Sequence, residues 1–286
     1  MPELVFLNGE ISDFASAKVS VEDRGFQFGD GIYEVVRCYN GVPFALAAHI
    51  ERLRQGAQVI ELESIPGQGE FITIIQNLLA QSGIKEGELY IQLTRGATRR
   101  SHLVSGIPPT VLVSIRQVRT IDPALRKKGA SAITVPDDRW DRCHVKSICL
   151  LANILAKRQA YRAGAFEAIF VRNGIVTEGS SSNIFLYMGD KTLITPPVDY
   201  RILPGITREY IVSIARALGL AVAEREISID ELPRAEEIFI TSTTMEMLAL
   251  VNIDDLRIGT GRPGPVLRQL HDAYRAQTAA IIKDEG

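Results

Sequence analysis

Several stretches of this 286-residue sequence carry side chains that could do chemistry. One is basic. From Leu89 to Ile121 there is no Asp or Glu, while Arg95, Arg99, Arg100, His102, Arg116 and Arg119 all fall inside it. Its centre, Arg95-Gly96-Ala97-Thr98-Arg99-Arg100-Ser101-His102, reads as a loop between two strands. Guanidinium groups left unpaired on a loop suit capture of a carboxylate or phosphate. A solvated loop whose arginines meet acids elsewhere has the same sequence signature. Three further stretches could cradle an anion. Leu203-Pro204-Gly205-Ile206-Thr207 places a glycine and a hydroxyl at a predicted helix start, where free N–H groups and the helix dipole favour negative charge. Thr241-Ser242-Thr243-Thr244 and Glu178-Gly179-Ser180-Ser181-Ser182-Asn183 are hydroxyl-rich turns. Read singly, each is equally a helix cap or a turn.

Lys146 stands in Arg142-Cys143-His144-Val145-Lys146-Ser147, just ahead of an apolar segment. A lysine there is usually a surface residue whose stem lies along apolar neighbours. To act as a nucleophile it needs desolvation or a cationic neighbour. The sequence has no Gly-x-Ser-x-Gly elbow, no Walker loop and no Gly-x-Gly-x-x-Gly fingerprint. His49, His102, His144 and His271 show no zinc-like spacing, so no metal site is expected. Cys38, Cys143 and Cys149 form no Cys-x-x-Cys pair, and a reduced, cytoplasmic setting is expected.

The elements that must position these residues follow from periodicity and turn chemistry. Asn8-Gly9 and Asn40-Gly41 are hairpin signals. Tyr33 to Tyr39 reads as a strand with Val42 to Leu46 returning beside it. A helix follows from Ala47, with Ile50, Leu53, Ala57 and Ile60 on one face. Phe71, Ile74, Ile75, Leu78 and Leu79 stripe a second helix that Gly83 stops. Leu89 to Thr94, Thr110 to Ile115, Ala132 to Val135, Ala168 to Val171 and Ile238 to Thr241 read as strands. Helices are predicted from about Ser147 to Arg162, from near Ile206 with Tyr210, Ile211, Ile214 and Leu218 inward, and from about Gly264 to Ile282. The mixture lacks a strict strand–helix alternation, which argues for two α+β domains rather than a doubly wound sheet. The expected boundaries are a small N-terminal domain over 1–118, a linker over 119–129 and a larger domain over 130–286.

Composition narrows the function classes. Hydrophobic residues make up 46% and charged residues 23%, ordinary for a globular chain that buries a large core. A net charge of -2 gives no bulk attraction to nucleic acid or to an anionic membrane. No apolar run approaches the roughly 20 residues of a membrane span. Met1-Pro2-Glu3 opens no secretory signal.

Taken together, the stretches resemble one family, the fold-type IV pyridoxal-5'-phosphate (PLP) transaminases of class IV, and most of all the D-amino-acid (D-alanine) transaminases. The matching segments are Glu22 through Val35, His49 through Leu53, and Thr94 through Arg100 with His102. Arg139-Trp140, Lys146-Ser147, Thr177 through Asn183, Gly205 through Arg208 and Thr241 through Thr244 follow in family order. The resemblance implies a two-domain α+β fold. A small N-terminal α/β domain and a larger C-terminal domain with a barrel-like sheet would hold the active site between them. It implies that Lys146 carries PLP as a Schiff base and acts as the catalytic acid and base. Glu178 would sit by the pyridine nitrogen. Arg52, Ile206, Thr207, Ser242 and Thr243 would bind the phosphate, and Tyr33, Arg100 and His102 the substrate carboxylate. The implied partners are amino acids and keto acids. A homodimer is also implied, in which Arg100 and His102 reach in from the partner subunit. Branched-chain L-amino-acid transaminases, (R)-amine transaminases and aminodeoxychorismate lyases share the fold, but hold the carboxylate differently or rework the Arg100–His102 loop. A non-catalytic PLP carrier would need neither Glu178 nor a substrate arginine. Two features depart from the D-alanine pattern: Arg99 adds a charge beside the trap, and Met245-Glu246-Met247 supplies an adaptable wall.

Overall fold

The computed structural model describes residues 1–285. The chain divides into two compact units. One comprises Met1–Arg119, Val145–Cys149 and the last helix from Thr278 onward; the other comprises Thr120–His144 and Leu150–Gln277.

The first unit opens with β1 (Leu4–Leu7) and β2 (Glu10–Asp13), followed by α1 (Arg24–Phe28), β3 (Gly31–Tyr39) and β4 (Val42–Pro43). It continues through α2 (Leu46–Val59), α3 (Gln68–Ser82), β5 (Gly87–Thr94) and β6 (Thr110–Gln117). The strands form a six-stranded sheet in the order β2-β1-β6-β5-β3-β4, every pairing antiparallel. Its hairpins turn where Asn-Gly predicts: Asn8 and Gly9, and Asn40 and Gly41, all have positive φ. Alternation then sorts the faces. Leu89, Ile91 and Leu93 of β5 and Ile32, Val36 and Cys38 of β3 join one core with Ile50, Leu53 and Ala57 of α2 and Phe71, Ile75 and Leu78 of α3. Gly83 ends α3 in the left-handed region, its N–H bonded to the Leu79 carbonyl. Glu34 lies on the same strand face as Ile32 and Val36 and is fully buried.

The second unit begins with α4 (Pro123–Lys128), so the segment expected as a linker, 119–129, holds a short helix capped by Asp122. Next come β7 (Ala130–Pro136), α5 (Leu151–Arg162), β8 (Glu167–Arg172), β9 (Ile175–Gly179), β10 (Asn183–Tyr187) and β11 (Thr192–Thr195). Then follow α6 (Ile206–Ala217), β12 (Ala221–Glu224), β13 (Ile227–Ser228), a 3-10 turn, β14 (Glu237–Ser242), β15 (Glu246–Ile253), β16 (Leu256–Arg257) and α7 (Pro265–Glu285), of which the part up to Gln277 belongs to this unit. A ten-stranded mixed sheet runs β12-β11-β10-β14-β15-β7-β8-β9-β13, with β16 beside β15. β14 and β15 are apolar runs buried on both faces, as central strands are. Glu237 caps α7, its two carboxylate oxygens each 2.9 Å from a backbone N–H, of Val266 and Leu267. Among the described residues, no helix is long and apolar enough to cross a membrane.

Two local readings are corrected. The helix predicted from Ser147 starts at Leu151, because the backbone at 146–148 pairs with β3 instead. Leu218, expected inward on α6, is the residue just past the helix end and is 40% exposed; Ile211, Ile214 and Ala215 form the buried stripe.

Candidate active site

In the first unit, candidate residues gather at the start of β3. Lys146 is half-buried and its backbone is fixed. The Lys146 carbonyl accepts from the Tyr33 N–H at 2.9 Å, and the Ile148 N–H donates to the Gly31 carbonyl at 3.1 Å. The Lys146 Nζ lies 4.3 Å from the centroid of the Tyr33 ring, which stacks on Tyr90 at 5.7 Å. This is not a lysine snorkelling from a helix. It is an amine held over an aromatic face by an isolated β-bridge.

Behind this face lies a buried ionic group that joins Arg52, expected to bind the phosphate, to Glu34 and His49, to which sequence reasoning gave no role. Arg52 Nε is 2.6 Å from Glu34 Oε1, Arg52 Nη2 is 2.8 Å from Glu34 Oε2, and His49 Nδ1 is 2.7 Å from Glu34 Oε2. Burial alone would raise the Glu34 carboxyl, but the charge of Arg52 and hydrogen bonds from His49 and Arg52 outweigh it and bring it down to about 2. Burial pushes His49 down, against the pull of Glu34. The signal was available: strand alternation puts Glu34 on the core face between Ile32 and Val36, where a lone carboxylate requires a partner.

The basic loop resolves into two kinds of arginine. Arg95 is structural: its Nε is 2.9 Å from Asp30 Oδ2, and it donates to the carbonyls of Ile60 and Glu61. Arg100 and His102 are exposed. The Arg100 guanidinium lies 4.3 Å from the centroid of the Phe28 ring, and the His102 ring lies 5.6 Å from it. Among the described residues, no hydrogen bond, ion pair or ring contact joins either to Tyr33, with which the sequence reading grouped them. Arg24 secures the loop by donating to the carbonyls of Ser101 and His102. Gly96 permits its turn: φ is +102°, and a Cβ there would collide with the Pro108 carbonyl oxygen.

In the second unit, Glu178 lies near the end of β9, held on every side. Its Oε1 accepts from Arg139 Nη1 at 2.6 Å, and its Oε2 accepts from the Leu203 N–H at 3.0 Å and from Asn183 Nδ2 at 3.2 Å. Arg139 is clamped by Asp137 (Nε to Oδ1, 2.9 Å; Nη2 to Oδ2, 3.0 Å) and lies 4.0 Å from the centroid of the Phe170 ring. Burial is the largest influence on Glu178 and, despite Arg139, pushes its carboxyl up to about 7. A cationic N–H placed against it would relieve that burial cost. Arg139 was quoted in the sequence resemblance without a role; the structure makes it the residue that orients Glu178.

The three hydroxyl-bearing turns also separate. α6 begins at Gly205 with no side chain capping its first amides, those of Ile206 and Thr207 among them. A Cβ on Gly205 would collide with Asn183 Oδ1. Ser242 and Thr243 are half-buried, and the adjacent Thr241 Oγ1 is buried with no hydrogen-bond partner. Uncapped amides and an unsatisfied hydroxyl suit a phosphate. The turn after Glu178 does not belong with them, because Ser180 and Ser182 donate to the two oxygens of Glu167. Within the second unit, these donors and the buried carboxyl of Glu178 suit the phosphate and the ring nitrogen of a phosphorylated pyridine; within the first, Lys146 supplies an amine whose backbone is fixed.

Residues 31–253 match the family model for amino-transferase class IV. The chain belongs to that family. This aminotransferase is 40% identical over 272 residues to the D-alanine aminotransferase of Bacillus licheniformis, covering 95% of each chain. It is 40% identical to that of Staphylococcus haemolyticus over 94% of its own length and 96% of the other's. Its fold superposes on the branched-chain amino acid aminotransferase of Escherichia coli with a TM-score of 0.90 at 25% identity, over 96% of this chain and 94% of that one. The branched-chain amino acid aminotransferase of T.th., with pyridoxamine 5'-phosphate, gives a TM-score of 0.88 at 28% identity, over 95% and 92%. The two-unit α+β fold of this aminotransferase is thus the class IV fold expected from its sequence.

Proposed function

We propose that this aminotransferase uses PLP to move the amino group of a D-amino acid, such as D-alanine, to a 2-keto acid, 2-oxoglutarate or pyruvate, by a ping-pong mechanism. The observation that carries the reading is 40% identity along nearly the whole chain to enzymes named D-alanine aminotransferase. The branched-chain L-amino-acid alternative is favoured by fold likeness, but at 25–28% identity. Lys146 would hold the cofactor covalently, and Arg52, Ile206, Thr207, Ser242 and Thr243 would bind its phosphate. Glu178 would face the ring nitrogen. When bound, PLP supplies an electron sink for the negative charge that develops at the substrate Cα.

The chain's own residues do the rest. Lys146, held over the Tyr33 ring, moves the proton at the substrate Cα. Arg139, locked on Asp137, keeps Glu178 aimed and so keeps a proton at the ring nitrogen. Glu34 and His49 fix Arg52 as an anion-binding guanidinium. Arg100, His102 and Tyr33 hold the substrate carboxylate and thereby select which face of Cα meets Lys146.

The enzyme works as a homodimer, with Arg100 and His102 supplied to the partner's site. Two features support this. The loop makes its ring contacts with Phe28 rather than with Tyr33. α5 leaves Leu151, Ile154, Leu155 and Tyr161 exposed, an apolar face that a second subunit would cover. The free thiols of Cys38, Cys143 and Cys149 suit a cytoplasmic setting. The test is to incubate the PLP-loaded protein with 2-oxoglutarate and either D-alanine or L-leucine. Pyruvate from D-alanine, and no keto acid from L-leucine, is expected; reaction with L-leucine alone overturns the reading.

A further inference from the structure

A cavity lies within the second unit, where α4, the start of β15 and the first turns of α7 meet. Its volume is about 330 Å³. That falls at the small end of small-molecule sites, which span roughly 300–1,000 Å³. Its floor is apolar, built of Met247, Leu248, Ala249 and Leu267, and its charged wall is Arg126, Lys127, Arg268 and His271. Among the described residues, no Asp or Glu lines it.

The cations differ in what they do. Arg126 is built in: Nη1 donates to the Met247 carbonyl at 2.7 Å and Nη2 to the Met245 carbonyl at 2.9 Å. His271 is tied to the buried Glu246, Nε2 to Oε2 at 2.6 Å. Glu246 itself holds a left-handed φ of +64°, a strained conformation for a residue with a Cβ. The side chains of Lys127 and Arg268 are exposed and make no ion pair or hydrogen bond among the described residues. A fixed guanidinium and two uncommitted cations over an apolar floor recognise an acidic headgroup joined to an aliphatic or aromatic body.

We propose that this cavity is a binding site for an organic anion with an apolar body, distinct from the residues proposed to bind the cofactor and the substrate carboxylate. The anionic end meets Lys127 and Arg268 beside Arg126. The apolar end lies against Pro123 and Pro263, over the closely packed floor.

The experiment is a fluorescence titration of the PLP-loaded protein with 8-anilinonaphthalene-1-sulfonate, with octanoate as competitor. One saturable site per chain, displaced by octanoate and weakened by added salt, is expected. Its uncharged relative N-phenyl-1-naphthylamine should bind at least tenfold more weakly. The Lys127→Glu/Arg268→Glu protein should weaken the sulfonate at least tenfold with transaminase turnover unchanged, and Arg100→Ala should leave sulfonate binding as it was. Equal affinity for the charged and neutral probes overturns the proposal. So does equal affinity in the double variant, loss of binding in Arg100→Ala, or the lack of a saturable site. None of these outcomes depends on which amino acid the enzyme uses.

Discussion

Arg52 grips Glu34 with two nitrogens, Nε and Nη2, at 2.6 and 2.8 Å, on a face of β3 that is otherwise apolar core. A bidentate pair in that setting fixes the guanidinium plane before any anion arrives. Glu34→Gln removes one charge of a buried pair, which typically costs about 3–5 kcal/mol. The variant should unfold at a lower urea concentration and bind PLP more weakly. Pyridoxal without phosphate should lose little affinity, because in the proposed site only the phosphate would engage Arg52.

The same pair sets the acid limb of stability. Glu34 is held at about 2 against an ordinary 4.5, so its contribution is complete above 4.5 and is lost as pH falls toward 2. At about 1.4 kcal/mol per unit, that is on the order of 3 kcal/mol. His49, lowered from 6.5, adds to the loss as pH falls below 6.5. Urea titrations across this range should show the steep acid limb in the parent and a shallower one in Glu34→Gln.

Glu178 works in the opposite direction. Its carboxyl is raised from 4.5 to about 7, so its contribution is full below 4.5 and is lost as pH rises to 7. Apoprotein stability should carry a declining component over that interval, and PLP should reduce it by setting a cation beside the carboxylate. Glu178→Gln should flatten the component and lower kcat on the order of 100-fold or more. Thermal unfolding of apo- and holoprotein between pH 4.5 and 7 checks the first claim, and steady-state kinetics the second.

Much of this was legible in the sequence, and what was missed has physical reasons. Asn-Gly turns, the α3 stripe ended by Gly83 and the start of α6 at Ile206 are local signals, and the structure keeps them. The helix expected at Ser147 starts at Leu151 because a non-local bridge to Ile32 outcompetes local propensity. Arg95 and Arg100 look alike in sequence; only the fold brings Asp30 to one and leaves the other exposed. Asp137, two residues before Arg139, was a missed local partner, and the Arg139–Glu178 pair spans 39 residues that no periodicity connects.

The loop that carries Arg100 and His102, proposed to hold the substrate carboxylate, depends on Gly96. Alanine there meets the Pro108 carbonyl and a left-handed backbone, a cost on the order of 1–3 kcal/mol from the backbone alone. Gly96→Ala should raise KM for both the amino donor and the keto acid by tenfold or more, with a smaller change in kcat. Arg100→Ala should do the same while leaving the bound-cofactor absorbance intact. Steady-state kinetics and an absorbance spectrum separate these effects.

The central claim is that Lys146, fixed over Tyr33 by backbone pairing with β3, is the amine that holds the cofactor and moves the Cα proton. Its most direct test is turnover of D-alanine with 2-oxoglutarate by Lys146→Ala, beside mass measurement of parent and variant after borohydride reduction. The account predicts a parent that gains one PLP on Lys146, and a variant that gains none and loses at least about a thousandfold in kcat. A variant that turns over D-alanine at the parent's rate would contradict it.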